Sequence, residues 1–412
     1  MLYRLKESGY EAYLVGGGVR DLLLGREPKD FDVATNARPE EVRSLFRNCR
    51  LIGRRFRLAH VRFGREIIEV ATFRAPHDVA DNDKAAALTA DGLILRDNVY
   101  GTLEQDAWRR DFTVNALYYN IRDFSVLDHT GGLADLKAGV LRLIGDPERR
   151  YREDPVRMLR AIRFAAKLGF RIEPDTEAPI FELGRCLGEI APARLFDEVL
   201  KLFQGGVAVE TFEMLRHYGL FKPMFPLTEA ALAKETQGFP RTFIARALAN
   251  TDRRIQENKP VTPAFLFAAL LWEPVRQRKA DLVRAGTDEI PALHAAAGEV
   301  ISDQQKHVSI PKRFSIPMRE IWTMQPRFVQ RFPKRVERFL AHPRFRAAYD
   351  FMCLRAEVGE VDEKLAEWWT RIQETDDAGR QQMMRRANAG SGARKRRRRP
   401  RKRKSPVNKG TT

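Results

Sequence analysis

The sequence predicts an α+β fold, in which a small α/β head precedes an all-helical neck and body and a disordered basic tail. Short strand and helix patterns alternate up to about residue 145, which is typical of a small mixed domain. From residue 154 onward the apolar residues recur with the period of a helix. Ten of the eleven positions from 394 to 404 are lysine or arginine, and such a block of like charges cannot fold alone.

These changes of pattern divide the 412 residues into four parts. A chain of this length can bury a large core and is expected to form two or three folded domains. We expect a head over residues 1–145, a neck over 146–206, a body over 207–380 and the disordered basic tail over 381–412.

The first informative segment predicts a strand, a turn and a short helix. Residues 12–15 are apolar, three successive glycines follow, and residues 19–24 have helical spacing and end before a further glycine. Because glycine has no Cβ, phosphate oxygens can approach the backbone of Gly16 and Gly17 closely. Arg20 stands in the first turn of the helix and can add a fork of donors. The segment therefore predicts a phosphate-binding turn.

Two aspartates one residue apart follow this turn. Pro28 breaks the chain, and residues 30–33 predict a second strand whose period of two sets Asp30 and Asp32 on one face. Two carboxylates that project together repel each other unless cations lie between them. Mg²⁺ prefers oxygen ligands, and a pair of such ions can activate a 3′-hydroxyl and stabilise a leaving pyrophosphate. The pattern therefore predicts metal-dependent nucleotidyl transfer.

The remaining elements follow from the same periodicities. In the head we expect a helix at residues 40–46, strands at 49–53, 58–63, 66–74, 112–120 and 124–128, and a mobile loop at 75–93. In the neck, Asp154 is a candidate N-cap, Pro155 suits the first helical position, and Gly169 ends the helix. Further helices are expected after Pro192 and at residues 210–218, 241–249, 263–272, 290–303, 334–341, 345–357 and 361–374.

Several motifs carry a family resemblance. GGGVRDLLLG followed by DFDVAT resembles the head-domain signature of the class II nucleotidyltransferases of the polymerase β superfamily, which comprise CCA-adding enzymes and bacterial poly(A) polymerases. The likeness continues at residues 67–74, 109–119, 131–132 and 152–170 and covers most of the chain. Residues 51–61, residues 342–357 and the basic tail resemble the poly(A) polymerase branch. Members of that branch usually carry extra residues before the first strand, so we expect further residues ahead of Met1.

The resemblance implies a polymerase β-like head and a template-independent poly(A) polymerase, which transfers AMP from ATP to RNA 3′ ends and releases pyrophosphate. It implies a catalytic head, a neck that recognises the nucleotide base and binds RNA, and a body that binds RNA. It also implies Mg²⁺ held by Asp30 and Asp32, with Mn²⁺ as an alternative metal. Two other functions stay open at this point. One is a CCA-adding tRNA nucleotidyltransferase with the same head chemistry, and the other is a non-catalytic RNA-binding protein that has kept only the fold.

A third carboxylate is expected from the strand at residues 66–74. Glu69 lies between the apolar residues Ile68 and Val70, and an acid in such a strand is costly unless it is paired or bound to a metal. As a third catalytic carboxylate it would orient the 3′-hydroxyl or brace a metal; alternatively it pairs with a neighbouring arginine. Glu66, at the turn end of the hairpin, is the competing candidate.

Arg109, Arg110 and Asp111 precede an apolar strand, a placement from which guanidinium groups can point at a triphosphate. The resemblance implies that this motif lies at the active cleft. Asp111 would then contact the ribose or assist the catalytic carboxylates, with Asn115 bracing the turn. The alternative is an Arg–Asp pair that caps the strand.

Asp154, Arg157 and Arg160 are the candidate base readers. Positions 157 and 160 fall on one face of the neck helix with Asp154 just before them, so an acceptor and two donors can converge on one base edge. The resemblance implies that this EDxxR arrangement selects ATP, and CTP where an enzyme adds CCA. A solvated, self-paired helix face is the alternative. The RRFR segment at residues 54–57 and His60 can contact the primer or lie on an exposed strand edge.

Charge and composition point to a polyanionic partner. The formal net charge is +18, and we expect the tail to attract RNA phosphates without reading sequence, rather than only to keep the protein soluble. The expected partners are RNA 3′ ends of mRNA and other transcripts, ATP, and RNA-decay or RNA-chaperone proteins. The longest apolar run, residues 264–272, is too short to span a membrane. Charged residues close to Met1 and three widely spaced cysteines favour a cytoplasmic protein with neither a zinc site nor disulfides.

Overall fold

The computed structural model describes residues 1–53, 57–75, 86–88, 94–97, 99–233 and 242–391. For residues 86–88, 94–97, 242 and 388–391 the description covers the backbone alone. Three predicted segments lie wholly or partly outside the described residues: positions 54–56 of RRFR, most of the loop at 75–93, and the cationic block at 394–404.

The described part of the head contains a seven-stranded mixed sheet and five short helices. Its strands are β1 (Ala12–Val15), β2 (Asp32–Thr35), β3 (Cys49–Ile52), β4 (Leu58–Phe63), β5 (Glu66–Thr72), β6 (Ala86–Leu88), β7 (Ile94–Asp97), β8 (Leu117–Tyr119) and β9 (Val126–Asp128). Its helices are α1 (Leu2–Glu7), α2 (Gly17–Leu23), α3 (Pro39–Leu45), α4 (Leu103–Trp108) and α5 (Gly132–Ala138). The sheet has the order β3-β4-β5-β2-β1-β8-β9, and β6 and β7 form a separate antiparallel pair. Strands β2 and β5 run parallel, and the other neighbours in the sheet are antiparallel.

Apolar residues pack on both faces of this sheet. On one face, Leu5 of α1 and Val42 of α3 share a buried cluster with Val33 of β2. On the opposite face, Ala34 of β2 packs in a cluster with Ala107 of α4. Because side chains alternate along a strand, β2 is held between two cores. This packing fixes the position of the acidic residue with which β2 begins.

The described neck and body are helical apart from a short parallel pair, β10 (Val140–Leu141) and β11 (Arg171–Ile172). The neck helices are α6 (Pro147–Glu153), α7 (Val156–Leu168), α8 (Pro174–Leu183) and α9 (Pro192–Phe203). The body helices are α10 (Ala208–His217), α11 (Phe221–Met224), α12 (Pro226–Ala233), α13 (Thr242–Gln256), α14 (Pro263–Leu270), α15 (Trp272–Arg284), α16 (Glu289–Gln304), α17 (Lys312–Met324), α18 (Pro333–Leu340), α19 (Phe345–Glu357), α20 (Glu363–Glu374) and α21 (Asp377–Ser391).

One large apolar core runs from the head into the body. It includes Val19 and Phe112 in the head, Ile162 of α7 and Trp322 of α17. A second, smaller core surrounds Trp369 and joins residues of helices α18 to α21. The larger core crosses the expected head–neck boundary at residue 145, so the neck is packed firmly against the head.

The predicted α+β fold is confirmed, but the second strand begins later than expected. Strand β2 starts at Asp32 and not at residue 30. Its antiparallel partner β1 ends at Val15, which lies opposite Asp32, and the chain then turns into α2. Asp30 therefore has no strand residue to pair with and lies in the connection before β2.

The prediction of a single strand over residues 112–120 is wrong. A 3-10 turn at Thr113–Asn115 precedes β8. Gly132 packs so closely on this turn that an added Cβ would lie 2.2 Å from the Thr113 carbonyl oxygen. The chain is therefore folded back under α5 at this point, which a periodicity of hydrophobic residues does not reveal.

Among the described elements, strand β6 lies within the loop predicted at residues 75–93. Ten described helices were also not predicted, namely α1, α4, α5, α6, α8, α11, α12, α15, α17 and α21. Helix α21 continues to Ser391, so the part of the tail at residues 381–391 is helical rather than disordered. Helices α8 and α17 were not predicted because Pro179 and Pro317 lie inside them, and an internal proline usually indicates a break. No helix in the described ranges is long and apolar enough to cross a membrane. The three cysteines are free thiols.

Candidate active site

A cavity of about 420 Å³ lies between the head and the neck, beside the glycine turn and the start of β2. Its wall in the head includes Gly16, Gly17, Gly18, Arg20, Lys29, Asp30, Asp32, Arg110, Asp111 and Asn115, and its wall in the neck includes Arg160, Arg163, Phe164, Lys167, Lys201 and Gln204. Carboxylates from the head therefore face cations from the neck across one space.

The glycine turn brings the backbone close to charged groups on two sides. Gly16 has a φ of +77°, in the left-handed region that favours glycine. A Cβ at this position would lie 3.9 Å from Asp32 Oδ2 and 3.7 Å from Arg110 Nη1. At Gly18 a Cβ would lie 3.2 Å from the carbonyl oxygen of Asp30. The absence of side chains thus lets the start of α2 pack against the residues that carry the acids.

Asp32 lies among other acidic groups. It stands opposite Glu69 in the parallel pair of β2 and β5, so both side chains share one face of the sheet. Burial raises the pKa of Asp32, Glu69 raises it further, Arg110 opposes the rise, and Asp30 adds to it. This crowding of carboxylates is unfavourable for the protein alone and becomes favourable when a cation binds.

Glu69 is near the cavity but does not line it. Its Oε1 lies 3.1 Å from Nε2 of His60, so its neighbour in the structure is a histidine and not the arginine considered as an alternative. Glu66 is exposed at the first position of β5, three residues before the level of Asp32. Of the two acids on this strand, the structure brings Glu69 beside Asp32.

Arg110 is positioned by a network that the sequence did not reveal. Its Nε donates to Tyr118 Oη at 2.8 Å, and its Nη2 donates to Asp106 Oδ2 at 3.0 Å. Tyr118 also donates to Asp106, and Arg109 binds the other carboxylate oxygen at 3.1 Å. Asp106 is buried, which opposes ionisation, but the two arginines lower its pKa to about 2. Asp106 therefore holds Arg110 at the cavity, while Arg109 does not line it.

A second network joins the glycine helix, the 3-10 turn and the neck. Arg160 Nε donates to Asp111 Oδ2 at 2.6 Å, and Asn115 Nδ2 donates to Asp111 Oδ1 at 3.3 Å. Asn115 in turn accepts from Arg20 Nη1 at 2.5 Å. Arg20 is 2% exposed, and its Nε also binds Asp21 at 2.8 Å. Arg20 therefore lines the cavity with its donors engaged, instead of presenting the open fork that we expected.

The three candidate base readers are not brought together in this structure. Arg160 lines the cavity, but Asp154 and Arg157 do not. Arg194 Nη2 donates to Asp154 Oδ2 at 2.7 Å, and Arg157 Nη1 donates to Glu153 Oε2 at 2.9 Å. Each of these two side chains has found an opposite charge within the neck, as in the alternative of a self-paired helix face.

Helix α7 supplies a cationic wall, in which Arg163 and Lys167 accompany the predicted residue Arg160. The guanidinium carbons of Arg160 and Arg163 lie 5.2 and 4.5 Å from the centre of the Phe164 ring. Arg163 Nε is buried and has no hydrogen-bond partner among the described residues. Burial lowers the pKa of Arg163 to about 10, with Arg160 adding to the effect. Lys167 lies one turn further along the same helix and also lines the cavity.

Two signals in the sequence pointed to Asp106, Arg163 and Lys167, which were not among the predicted site residues. Asp106 precedes the paired arginines by three and four positions, which is the spacing of ion pairs along a helix. Arg160, Arg163 and Lys167 recur at intervals of three and four, so they form one cationic stripe on α7. Tyr118 carried no comparable signal, because a tyrosine in an apolar strand is most often a core residue.

The arrangement suits chemistry on a nucleoside triphosphate and a nucleic acid. The carboxylates of Asp30 and Asp32 offer oxygen ligands for a divalent cation. Arg110 and the cations of α7 can bind phosphate oxygens with charge-assisted hydrogen bonds. The glycine turn leaves room for such a ligand between them.

Comparison with protein families gives three matches along the chain. Residues 12–142 match the model described as the poly A polymerase head domain. Residues 169–232 match the probable RNA and SrmB-binding site of polymerase A, and residues 285–403 match the polymerase A arginine-rich C-terminus. The head match begins at the first residue of β1 and ends just after β10.

Curated relatives and a solved structure agree with these matches. The chain is 52% identical to poly(A) polymerase I of Salmonella typhimurium over 377 residues, covering 90% of this chain and 81% of the relative. It is 50% identical to poly(A) polymerase I of Haemophilus influenzae over 386 residues, covering 92% of this chain and 85% of the relative. The crystal structure of the Bacillus stearothermophilus CCA-adding enzyme in complex with CTP is similar in fold, with a TM-score of 0.62 and 26% identity over 90% of this chain and 81% of that chain.

Proposed function

The chain belongs to the bacterial poly(A) polymerases of the nucleotidyltransferase family, and we propose that the cavity between its head and neck is where AMP is joined to RNA. It is a nucleotidyltransferase that adds adenylate residues from ATP to RNA 3′ ends without a template. The observation that supports this site is that Asp30 and Asp32 line the same cavity as the cations of α7. A non-catalytic RNA-binding role is set aside.

The family uses a divalent metal, and we propose Mg²⁺, with Mn²⁺ as the alternative, held by Asp30 and Asp32. In the part of the chain that the structure describes, no group of three or more histidine, cysteine or acidic side chains could hold a metal by itself. Two carboxylates nevertheless suit Mg²⁺, because this ion takes its remaining oxygen ligands from substrate phosphates and water. The raised pKa of Asp32 supports the assignment, since the crowded acids gain from a cation. When bound, the metal neutralises phosphate charge and favours ionisation of the 3′-hydroxyl.

The residues around Gly16 would hold the triphosphate. Gly16 and Gly17 leave space for phosphate oxygens beside Asp32, and Arg110 faces the same space from the other side. Asp106 keeps Arg110 oriented, so its donors are in place before ATP arrives. Arg20 would support the glycine turn through its hydrogen bond to Asn115. We propose that Arg109 acts indirectly, through its shared bond to Asp106.

The acids and the neck would position the RNA end. Asp32 and Glu69 share one face of the sheet, where either carboxylate could accept a hydrogen bond from the attacking 3′-hydroxyl. Asp111, which Arg160 binds, would contact a ribose hydroxyl. Arg163 and Lys167, which line the same cavity, would bind the phosphate nearest the RNA end. The 3′-hydroxyl would thus lie close to these carboxylates, and the cations of the neck would balance the charge of the RNA.

Adenine selection is proposed for Asp154 and Arg157, with Arg160 completing the set. Asp154 lies two residues before α7 begins at Val156, and Pro155 takes the N-cap position that was predicted for Asp154. Arg157 lies on the first turn of α7, one turn before Arg160. An incoming adenine would compete with Arg194 for the carboxylate of Asp154. Base binding would therefore require that the Asp154–Arg194 and Arg157–Glu153 ion pairs break.

Primer extension with each of the four nucleoside triphosphates tests the function directly. ATP alone should extend an unstructured RNA and release one pyrophosphate for each added residue. A CCA-adding enzyme would instead require tRNA that lacks its 3′ end, and would use CTP before ATP. Efficient incorporation of CTP into such a tRNA, with no extension of unstructured RNA, would contradict the assignment.

Protein partners and location are further proposals. The match of residues 169–232 to a probable RNA and SrmB-binding site supports a protein-binding role for the neck and early body, and we propose RNA-decay or RNA-chaperone proteins as partners. We also propose a cytoplasmic location, where the three free cysteines stay reduced. Affinity capture of the full chain from cells treated with ribonuclease would separate protein contacts from contacts made through RNA.

A further inference from the structure

We propose that a second cleft, in the body, binds the RNA chain upstream of its 3′ end; this inference rests on the function proposed above. The cleft encloses about 430 Å³ and lies between the last turns of α13 and the first turns of α14, α17 and α19. Four arginines line it, Arg254, Arg313, Arg344 and Arg346. We call it the arginine cleft. Its volume is within the range of roughly 300–1,000 Å³ that is usual for ligand sites.

The arginine cleft carries excess positive charge. Asp350 is the one acidic residue among its lining residues, and it binds Arg346 at 3.0 Å. Arg344 binds Glu320 at 3.2 Å. Arg254 donates to a backbone carbonyl, and Arg313 lies 4.8 Å from the centre of the Phe314 ring. Among the described residues neither of these last two arginines forms an ion pair with a carboxylate, so the cleft can take an anion.

The remaining walls fit a nucleotide better than a free anion. The first turns of three helices face the cleft, and the positive ends of their dipoles add to the field of the arginines. Between these turns the lining is apolar and aromatic, with Phe265, Phe314, Pro317 and Ile321. A base can stack on or pack against such a surface while its phosphate binds an arginine at the rim.

The arginine cleft is a direct neighbour of the cavity of about 420 Å³ between the head and the neck, which we call the active cavity. Gln204, which lines the active cavity, donates from Nε2 to the carbonyl oxygen of Val261, which lines the arginine cleft, at 2.9 Å. Phe196 of α9 stacks on Phe314 with ring centres 5.7 Å apart. An RNA whose 3′ end lies at Asp32 can therefore continue across this contact into the arginine cleft.

Charge also decides between RNA and other occupants. The chain's own tail carries ten cations in residues 394–404 and would be repelled by the arginines. A second copy of the chain is disfavoured for the same reason, since each copy has a formal net charge of +18. An acidic peptide would satisfy the charge but has no reason to lie beside the cavity that receives the RNA end.

The test compares primers of two lengths in full-length enzyme. A primer of about four nucleotides fills little more than the active cavity, whereas one of about twenty reaches the arginine cleft. Replacing both Arg313 and Arg346 with alanine should raise KM for the long primer about tenfold and leave KM for the short primer and for ATP unchanged. The slope of log affinity against log salt should fall by about 1.4 for the long primer.

Matched variants keep the test decisive. Arg284 is an exposed helical arginine that pairs with Asp281, as Arg346 pairs with Asp350, and it lies outside both cavities. Arg284→Ala should therefore leave both KM values unchanged. The double substitution Arg313→Lys and Arg346→Lys keeps the charge and should retain most of the long-primer advantage, which excludes misfolding as the cause.

Three results would overturn the inference. One is an unchanged KM for the long primer in the alanine variant, and another is an equal rise for both primers. The third is loss of binding of a fluorescent poly-glutamate peptide while RNA binding stays intact, which would assign the cleft to an acidic protein segment. If the unmodified enzyme extended neither primer, the proposed function itself would fail, and this outcome is distinct from the other three.

Discussion

Arg160 on neck helix α7 binds Asp111 in the head, with its Nε 2.6 Å from Asp111 Oδ2. Burial opposes the ionisation of Asp111, but Arg160, the backbone N–H of Phe112 and the side chain of Asn115 lower its pKa to about 2. The pair therefore joins the neck to the head at the wall of the active cavity.

Lowering the pH should weaken the Asp111–Arg160 ion pair over a defined range. Because the folded pKa of Asp111 lies below its ordinary value of 3.8, the ionised carboxylate stabilises the native state. That contribution is complete above a pH near the ordinary value and is lost as the pH falls toward 2. Asp111→Asn should lower the free energy of unfolding at neutral pH by about 3 kcal/mol, because Arg160 loses its partner. Urea unfolding from pH 7 to pH 3 measures both effects.

The matched control for this prediction is Asp377→Asn. Asp377 also pairs with an arginine, but its side chain is 95% exposed. Its removal should change the free energy of unfolding by less than about 1 kcal/mol. An acid dependence that is identical in Asp111→Asn and in the unmodified chain would show that Asp111 is not the group that titrates.

Asp32→Asn should remove activity without removing stability. We expect kcat to fall about a thousandfold or more, because the substitution removes a charge from the group proposed to hold the metal. The fold raises the pKa of Asp32, so its ionised form is disfavoured in the metal-free protein, and the free energy of unfolding should stay equal or rise. Glu66→Gln, on the neighbouring strand β5 but exposed, is the control and should leave both quantities unchanged. A marked loss of stability in Asp32→Asn would contradict this account.

Gly18→Ala should damage the site more than the fold. A Cβ at Gly18 would lie 3.2 Å from the carbonyl oxygen of Asp30, so the aspartate must shift by a few tenths of an ångström. Positioning of the acids is sensitive to such shifts, and we expect kcat to fall about tenfold or more. Gly298→Ala, in helix α16 with nothing within 4 Å of the added Cβ, should instead stabilise the protein by about 1 kcal/mol. Equal kinetic effects of the two substitutions would argue against a special role for the glycine turn.

Arg157→Ala tests the assignment of the base readers. If Arg157 contacts adenine, the ratio of kcat/KM for ATP to that for CTP should fall by about tenfold, while incorporation itself continues. Arg152 is exposed on the preceding helix and pairs with Glu148, so Arg152→Ala is the control and should leave the ratio unchanged. If Arg157→Ala lowered the rates with ATP and CTP equally, the arginine would have a structural role through Glu153.

Removal of residues 392–412 should weaken RNA binding and leave ATP binding intact. The removed segment contains ten cations between positions 394 and 404. Loss of their phosphate contacts should raise the dissociation constant for a long RNA about tenfold at low salt and flatten its salt dependence. A filter-binding titration at several salt concentrations gives both values. An unchanged salt slope would mean that the tail does not contact RNA.

The sequence was sufficient to predict the acids, the glycine turn and about half of the described helices. Asp32, Gly16 and Arg110 could be placed because strand period, turn chemistry and adjacent charges are local properties. Asp106 and Tyr118 could not, because their role depends on a contact with Arg110 that forms only when α4 and β8 meet in the fold. Local sequence patterns therefore identify candidate site residues more readily than the residues that position them.

For the candidate base readers, the sequence indicated the charged groups but not the partners with which they pair. Their spacing was correct for one helix face, yet Asp154 and Arg157 pair with Arg194 and Glu153. Charges at helical spacing have several partners within reach, and the choice among them depends on neighbouring helices that the pattern does not specify. The position of Pro179 inside α8 is a similar case, since tertiary packing overrides the tendency of proline to end a helix.

The continuous apolar core has a consequence for biosynthesis. Phe112 and Leu143 of the head are buried in the same core as Ile162 of the neck and Trp322 of the body. A nascent chain that has emerged only as far as residue 145 would expose these side chains to water. The amino-terminal third should therefore wait for the later helices to leave the ribosome before it becomes fully native, and chaperones would meet it during that interval.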